Sequence, residues 1–336
     1  MSRETPKITV AVVTYNAELH IGRCIESILA LNYPAQAVEL LIVDGCSADA
    51  TQMIVRRFMK KDSRIRLVEN PERTIASNRN RALKEARYPF VAFTDSDCEV
   101  PENWLTVLME AFQERRGEQD KLIAVGGANV PPQENGSSFL QALGIMLNTF
   151  LGSLGSVQGK VYSESRYVDS LACLNVIYDR DRVLSLGGFD TDMKNIGEDA
   201  EMHFRLRKAG YRLLYVPAST VYHKLRPTPR EWARNMFNYG RGRMVMFRKH
   251  HEMITFRYLL PLFFLAAFLA VPFSGLSRLC WLPMAYFPLL LVYSLGLAVR
   301  QKQLCLSGWI MLAFLYTHWC YAFGMVWQGL SWKKTM

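Results

Sequence analysis

The chain has 336 residues, 50% of them hydrophobic, and a formal charge of +10 from 40 Lys and Arg against 30 Asp and Glu; that length supports one large catalytic domain or two modest ones. Seven cysteines (24, 46, 98, 173, 280, 305 and 320) without a Cys-x-x-Cys pair argue against a zinc site or a disulfide framework and read as reduced, buried residues. The positive excess clusters at Arg241, Arg243, Arg248, Lys249 and Arg257, with His250 and His251, just ahead of apolar sequence, which suits a membrane flank and anionic headgroups and not nucleic acid.

Ile8 to Thr14 is a continuous apolar, β-branched run that predicts a strand, and Ile21, Cys24, Ile25, Ile28 and Leu29 then recur at helical spacing. Glu39 to Val43 repeats the strand signal and ends at Asp44, after which Ser47 and Asp49 supply capping side chains for a helix carrying Ile54, Val55 and Phe58. Ile65 to Val68 precedes a helix from about Thr74 to Ala86, and Phe90 to Thr94 leads into Asp95. Four βα alternations in the first hundred residues predict an α/β fold with a doubly wound, mostly parallel sheet. Ligands of such sheets bind beyond the carboxyl ends of the strands, where Tyr15, Asp44 and Asp95 fall. The chain has no Gly-x-Gly-x-x-Gly after the first strand and no Walker sequence, so dinucleotide and P-loop readings lose support. Phe139 to Leu154 is apolar, too short and Gly-interrupted to span a bilayer; a core helix and a helix lying in the membrane interface are both open.

Nearly all acidic residues precede Glu252, and the last third is dominated by Leu, Phe, Ala, Tyr and Trp, which marks a boundary near residue 255. Segments 258–277, 279–299 and 304–330 each approach the roughly 20 residues that cross a bilayer, so about three transmembrane helices are expected. Pro261, Pro272 and the Ser274-Gly275 turn leave a re-entrant course open for the first. Met1 to Lys7 is polar and enters the first strand directly, so no secretory signal is expected and the large domain is expected in the cytoplasm. Arg300 and Lys302 suit that side, whereas Lys333 and Lys334 would lie outside.

Several polar residues have both a bland and a chemical reading. Asp44 suits a strand-to-helix turn, but a carboxylate there can also accept a hydrogen bond from a nucleobase imino N–H. Asp95 and Asp97 flank a serine at a strand end, where two like charges need a cation or donors; a Mg²⁺ or Mn²⁺ shared with a diphosphate meets that need. Glu198 and Asp199 open a helix, which the helix dipole alone explains, yet a carboxylate facing a cleft can serve as a general base. His223 is a lone histidine after the Leu213 to Val216 strand, structural by default and a competent metal ligand.

The stretches VVTYNAE, LLIVDGCSADAT, ASNRNRAL, FTDSDCEVPENWL, LGGFDTDM and GEDAEMHFRLRKAGYRL stand in the order and spacing of one family. Over about Lys7 to Arg226 the chain resembles the inverting, GT-A-fold family-2 glycosyltransferases. Its tail, with Tyr239 to Arg243 ahead of apolar segments, is similar to bacterial and archaeal members that make exopolysaccharide or lipid-linked glycans, including succinoglycan-type transferases. The resemblance implies a nucleotide-sugar donor bound by Thr14, Tyr15, Asp44 (base), Arg79 (nucleotide) and Asp95 (ribose or metal shell). It implies Asp97 and His223 at a Mg²⁺ or Mn²⁺, His223 alternatively at the leaving diphosphate, Asp199 as the base with Glu198 beside it, and Asn175 near the acceptor.

The expected organisation is a catalytic domain over 1–228, a basic juxtamembrane linker over 229–257 and a membrane domain over 258–332, integral to a prokaryotic cell membrane. The expected partners are the donor, a lipid-linked or other glycan acceptor and membrane lipids. Glu198-Asp199 favours a hydroxyl acceptor, and the missing Gln-x-x-Arg-Trp sequence before the membrane segments favours addition of one sugar. A polyprenyl-phosphate glycosyltransferase, a short-chain synthase and a nonenzymatic membrane scaffold are the competing readings.

Overall fold

The computed structural model describes residues 5–116, 121–130, 137–153, 161–223, 228–270 and 281–331. In chain order, β1 (Ile8–Thr14) and α1 (Ile21–Leu29) are followed by β2 (Val38–Asp44), α2 (Thr51–Met59), β3 (Ile65–Glu69), α3 (Ile75–Glu85) and β4 (Phe90–Asp95). Next come the two-residue β5 (Cys98–Glu99), α4 (Trp104–Arg116), β6 (Leu122–Val130), α5 (Ser138–Leu147) and α6 (Phe150–Ser153). They are followed by β7 (Arg166–Val168), β8 (Val176–Asp179), α7 (Arg180–Ser185), α8 (Glu198–Lys208) and β9 (Arg212–His223). Five helices follow: α9 (Pro229–Lys249), α10 (Phe256–Ala270), α11 (Trp281–Arg300), α12 (Ser307–Leu315) and, after a π-helical turn at Tyr316–Cys320, α13 (Tyr321–Ser331).

The strands form one sheet in the order β3-β2-β1-β4-β8-β6-β9-β5, with β7 on β9. β1 pairs in parallel with β2 and β4, and β2 with β3, as the βα alternation predicts. The second half departs from that pattern: β8 runs antiparallel to β4 and β6, β9 is parallel to β6, and β5 and β7 are antiparallel to β9. The sheet is therefore mixed. Every residue of β1 and β2 is buried, because helices cover both faces of the parallel strands. Val10, Val12, Leu40 and Ile42 pack into one layer with Ile21, Ile25, Trp104 and Leu108. Ala11, Leu41, Val43 and Phe93 face the other, with Ala82, Leu83, Met202 and Leu206.

The chain forms two compact units, one of Met1–Pro132 with Ser156–Lys224 and one of Gln133–Gly155 with Leu225–Met336. Within the second unit, Phe139, Leu143 and Met146 of α5 share a core with Trp232 and Met236 of α9 and Ile310 and Phe314 of α12. The described part of this apolar stretch thus packs into the core of its own unit. Helix α9 starts where a capping box dictates: the Thr228 hydroxyl accepts from the Glu231 backbone, the Glu231 side chain accepts from the Thr228 backbone, and Pro229 fills the first helical position.

Leu304–Ser331, 28 residues, is long and apolar enough to cross a membrane. Phe256–Leu269 and Ala285–Arg300 are shorter apolar helices. Residues 271–280, the end of the first expected span and the start of the second, lie outside the described residues.

Candidate active site

The parallel strands β1 and β2 deliver Thr14 and Asp44 side by side. Asp44 is fully buried; its Oδ2 accepts from the Ser47 backbone N–H at 2.8 Å and from Gln52 Nε2 at 2.7 Å, and its Oδ1 accepts from the Ser47 hydroxyl at 2.5 Å. The bland reading of this residue is thus realised, and Ser47 and Gln52 are partners that the sequence did not reveal. The loops after β1 and β2 fasten each other: Asn16 N–H donates to Ser47 Oγ at 2.8 Å and the Ala48 N–H to Asn16 Oδ1 at 2.8 Å. Ala50 N–H donates to Glu18 Oε2 at 2.9 Å. Tyr15 stands 50% exposed on this scaffold, while Thr14 is buried and its hydroxyl has no hydrogen-bond partner among the described residues. A Cβ on Gly45 would lie 3.3 Å from Asn78 Nδ2 and 3.5 Å from both the Tyr15 ring and Arg73 Cα. The backbone at Gly45 therefore passes close to Tyr15 and Asn78.

Asp95 closes β4, and Arg79 on α3 reaches it, with Nη2 at 3.2 Å from Oδ1. The other terminal nitrogen, Nη1, forms a very short ion pair with Glu198 at the start of α8. Arg79 is only 4% exposed, and its guanidinium lies 5.7 Å from the Phe189 ring centroid. Each terminal nitrogen of Arg79 thus meets one carboxylate, and its buried Nε–H finds no hydrogen-bond partner among the described residues. Burial pushes the Glu198 carboxyl up to about 7, against the pull of Arg79 and with the Asp199 charge adding to the rise. Asp199 is half-buried and accepts from the Ala200 N–H at 2.7 Å. Gly197, at φ 77°, adopts the left-handed conformation that turns the chain into α8.

Asp97 and His223 are brought together by the short β5–β9 ladder, in which Cys98 pairs with His223 and Glu99 with Tyr222. Asp97 Oδ2 lies 3.5 Å from His223 Nε2, and the ligand atoms of Asp97, Cys98 and His223 are all within 4.8 Å of one another. A carboxylate and an imidazole this close together suit a divalent ion such as Mn²⁺ or Mg²⁺. Cys98 does not extend that set to a hard ion, because burial, then the charges of Asp95 and Asp97, hold its thiol well above its ordinary range.

Asn175 requires a correction. It is fully buried; its Oδ1 accepts from Trp104 Nε1 and Ser219 Oγ, both at 2.8 Å, and its Nδ2 donates to the carbonyls of Ala128 at 2.8 Å and Ser219 at 3.1 Å. Four bonds saturate a primary amide, so it ties α4, β6 and β9 together and has none over for an acceptor. Sequence reasoning also passed over His203, one turn beyond Asp199 on α8. Its Nδ1 accepts from the Leu171 N–H at 3.4 Å, which leaves Nε2–H to donate to the Tyr178 hydroxyl at 2.6 Å. Burial, then Arg207 and Arg79, pushes this imidazole down to about 3, so a neutral ring backs the acidic end of α8. The i, i+4 spacing from Asp199 was the one signal for it.

A mixed α/β sheet with carboxylates at its strand ends defines the GT-A class of sugar-transferring folds. The protein superposes on the mannosyltransferase PcManGT from Pyrobaculum calidifontis in complex with GDP-Man and Mn²⁺ with a TM-score of 0.63, covering 94% of this chain and 88% of that one; at 20% identity the likeness is one of fold. The Glycosyl transferase family 2 profile matches residues 9–141, and the Glycosyl transferase family group 2 profile matches residues 90–327. The chain belongs to the Glycosyl transferase family group 2. It is 25% identical over 328 residues to the dolichyl N-acetyl-alpha-D-glucosaminyl phosphate 3-beta-D-2,3-diacetamido-2,3-dideoxy-beta-D-glucuronosyltransferase of Methanococcus voltae, covering 92% of this chain and 93% of the relative. It is 29% identical over 259 residues to the succinoglycan biosynthesis protein ExoA of Rhizobium meliloti, covering 75% and 74%.

Proposed function

We propose that this glycosyltransferase moves one sugar from a nucleoside-diphosphate sugar to a hydroxyl of a lipid-linked glycan, with inversion, in a metal-dependent reaction at the cytoplasmic face of a prokaryotic membrane. The observation that carries the reading is the bridge Asp95–Arg79–Glu198, which holds the acidic start of α8 beside the Asp95-Ser96-Asp97 triplet. A general base and a diphosphate site are needed within one substrate's reach of each other, and the bridge joins the segments that carry them. The lipid-linked acceptor rests on the names of the two relatives, and the membrane on the apolar helices.

Tyr15 would stack on the donor base. Asp44 Oδ1 holds one hydrogen bond and has a lone pair left for an imino N–H. Asp95 would contact the ribose, and Asp97 with His223 would hold Mn²⁺ or Mg²⁺, which when bound neutralises charge on the diphosphate. Asp199 would take the proton of the acceptor hydroxyl as that oxygen attacks the anomeric carbon and the diphosphate leaves on the opposite side. One displacement gives inversion without a covalent enzyme intermediate.

The test is a panel of UDP- and GDP-sugars screened against the purified full-length protein, followed by mass and anomeric analysis of the lipid product. Asp199→Asn is expected to lower transfer by about a thousandfold while donor affinity stays within about threefold. Transfer at the wild-type rate by that variant would remove the base assignment. A ladder of products would favour the short-chain synthase, and transfer to a bare polyprenyl phosphate the second alternative.

A further inference from the structure

Helix α9 lies alongside the second half of the apolar helix Leu304–Ser331. Trp232 Nε1 donates to the Thr317 hydroxyl at 2.9 Å near one end of the pairing. Towards the other end, Arg241 Nε donates to Gln328 Oε1 at 3.2 Å and Arg248 Nη2 to the Gly329 carbonyl at 2.8 Å. Between them the backbones touch at Gly240 and Gly324, where a Cβ on either would overlap a carbonyl of the facing helix. Residues 317–329 therefore share their depth with α9. That helix carries Arg234, Asn235, Asn238, Arg241 and Arg243 in its central turns and Arg248 and Lys249 at its end, with Glu231 as its one acid. Glu231 is engaged with Thr228 at the N-terminal cap. The Cζ atoms of Arg243 and Arg257 lie 3.9 and 4.8 Å from the centroid of the Tyr258 ring, which brings the first turn of α10 to the same level.

Building on the membrane association proposed above, we infer that Leu304–Ser331 does not cross the bilayer. Helices α9 and α13 form a membrane-surface pair in its place, α9 meeting lipid phosphates and α13 the acyl-chain boundary. Arginine at the centre of a bilayer is costly, and an α9 at that depth would put Arg234, Arg241 and Arg243 there with two asparagines. The helix belongs in the headgroup layer, where its cations find phosphates. Residues 317–329, packed along it, then lie in that layer as well. The remainder of the apolar helix, Leu304 to Tyr316, is about 20 Å long at ~1.5 Å per residue, short of the ~30 Å hydrocarbon core. The exposure of α13 is also one-sided. Phe323, Val326, Trp327 and Leu330 recur at i, i+3, i+4 and i+7 and are between 39% and 78% exposed, whereas Ala322, Gly324 and Met325 are buried. An apolar, tryptophan-bearing side next to a cation-rich partner helix suits the boundary between headgroups and acyl chains.

The experiment uses the untagged full-length protein in sealed membrane vesicles of the expressing cell, treated with a membrane-impermeant amine reagent from one side and, in a second sample, from the other. Mass spectrometry then locates the modified lysines. Lys302 and the Lys333-Lys334 pair bracket the helix and should react from the same side, with labelling there at least about tenfold above that from the opposite side. Reaction of Lys302 from one side and of Lys333 and Lys334 from the other would demonstrate a crossing and overturn the inference. A second measurement compares tryptophan quenching in wild type and Trp327→Phe, reconstituted with phosphatidylcholine brominated near the glycerol end of its acyl chains. The variant should lose part of the quenched emission. Equal quenched emission in both would mean that a second copy of the chain, and not lipid, covers the exposed stripe, and would also overturn the inference. Recovery of the full-length protein in the soluble fraction after lysis would remove the membrane reading itself, a failure distinct from labelling on opposite sides.

Discussion

Glu198 couples the site to pH. Its carboxyl is raised to about 7 in the folded protein, chiefly by burial, from an ordinary 4.5. Between those values the folded chain holds a proton that the unfolded chain has lost, so this contribution to stability is complete below about 4.5 and declines as pH rises to 7. In Glu198→Gln that slope should vanish, and the difference between wild type and variant should change by about 3 kcal/mol between pH 4 and pH 8, read from denaturant midpoints at each pH. Asn175→Ala strands the Trp104 indole N–H and two buried carbonyls and should cost about 3 kcal/mol in the same assay, with nucleotide affinity unchanged. Loss of affinity without loss of stability would return Asn175 to the substrate. Asp97→Ala should make nucleotide binding indifferent to added Mn²⁺, whereas wild-type binding should fall after EDTA treatment and recover with Mn²⁺. The types of these residues were legible in the sequence, but their partners were not. Arg79 and Glu198 are 119 residues apart, and no local pattern reports whether a carboxylate will meet an arginine, a backbone amide or solvent.

At the scale of elements, β1 to β4 and the helices between them follow the hydrophobic pattern, because β1, β2 and β4 are buried almost throughout and their continuous apolar runs mark them. The two-residue β5 was not legible, since a strand so short has no period; its existence depends on β9 arriving beside it, and with it the approach of Asp97 to His223. Close backbone approach was equally silent. On α9 and α13, a Cβ at Gly240 would overlap the Tyr321 carbonyl and one at Gly324 the Phe237 carbonyl, so the two helices cross with backbone against backbone. Gly324→Val should therefore destabilise the helical unit by about 3 kcal/mol, seen as a lower melting temperature, while Gly296→Val, on α11 with open space around it, should not. The π-helical turn between α12 and α13 carries Thr317, whose hydroxyl accepts from Trp232 Nε1 at 2.9 Å and donates to the Ala313 carbonyl at 2.7 Å. The Trp232 contact joins this turn to α9 across 85 residues, which no sequence window contains.

For the whole molecule, the apolar tail predicts membrane topology. With three spans and a cytoplasmic catalytic unit, a reporter fused to the C terminus should read outside the cytoplasm; a cytoplasmic reading would require an even number of crossings and would fit a re-entrant first segment. The sequence by itself determined the α/β class, the family, the order of the acidic motifs and the basic flank ahead of the apolar helices, because these depend on composition, period and short-range spacing. Only the tertiary structure decided that the sheet turns antiparallel after β4, that α5 packs with α9 and α12, and that Arg79 faces two carboxylates while Asn175 is spent inside the fold. Those outcomes depend on which distant segments become neighbours and in what register, and a buried polar group takes its role from whatever partner it then finds.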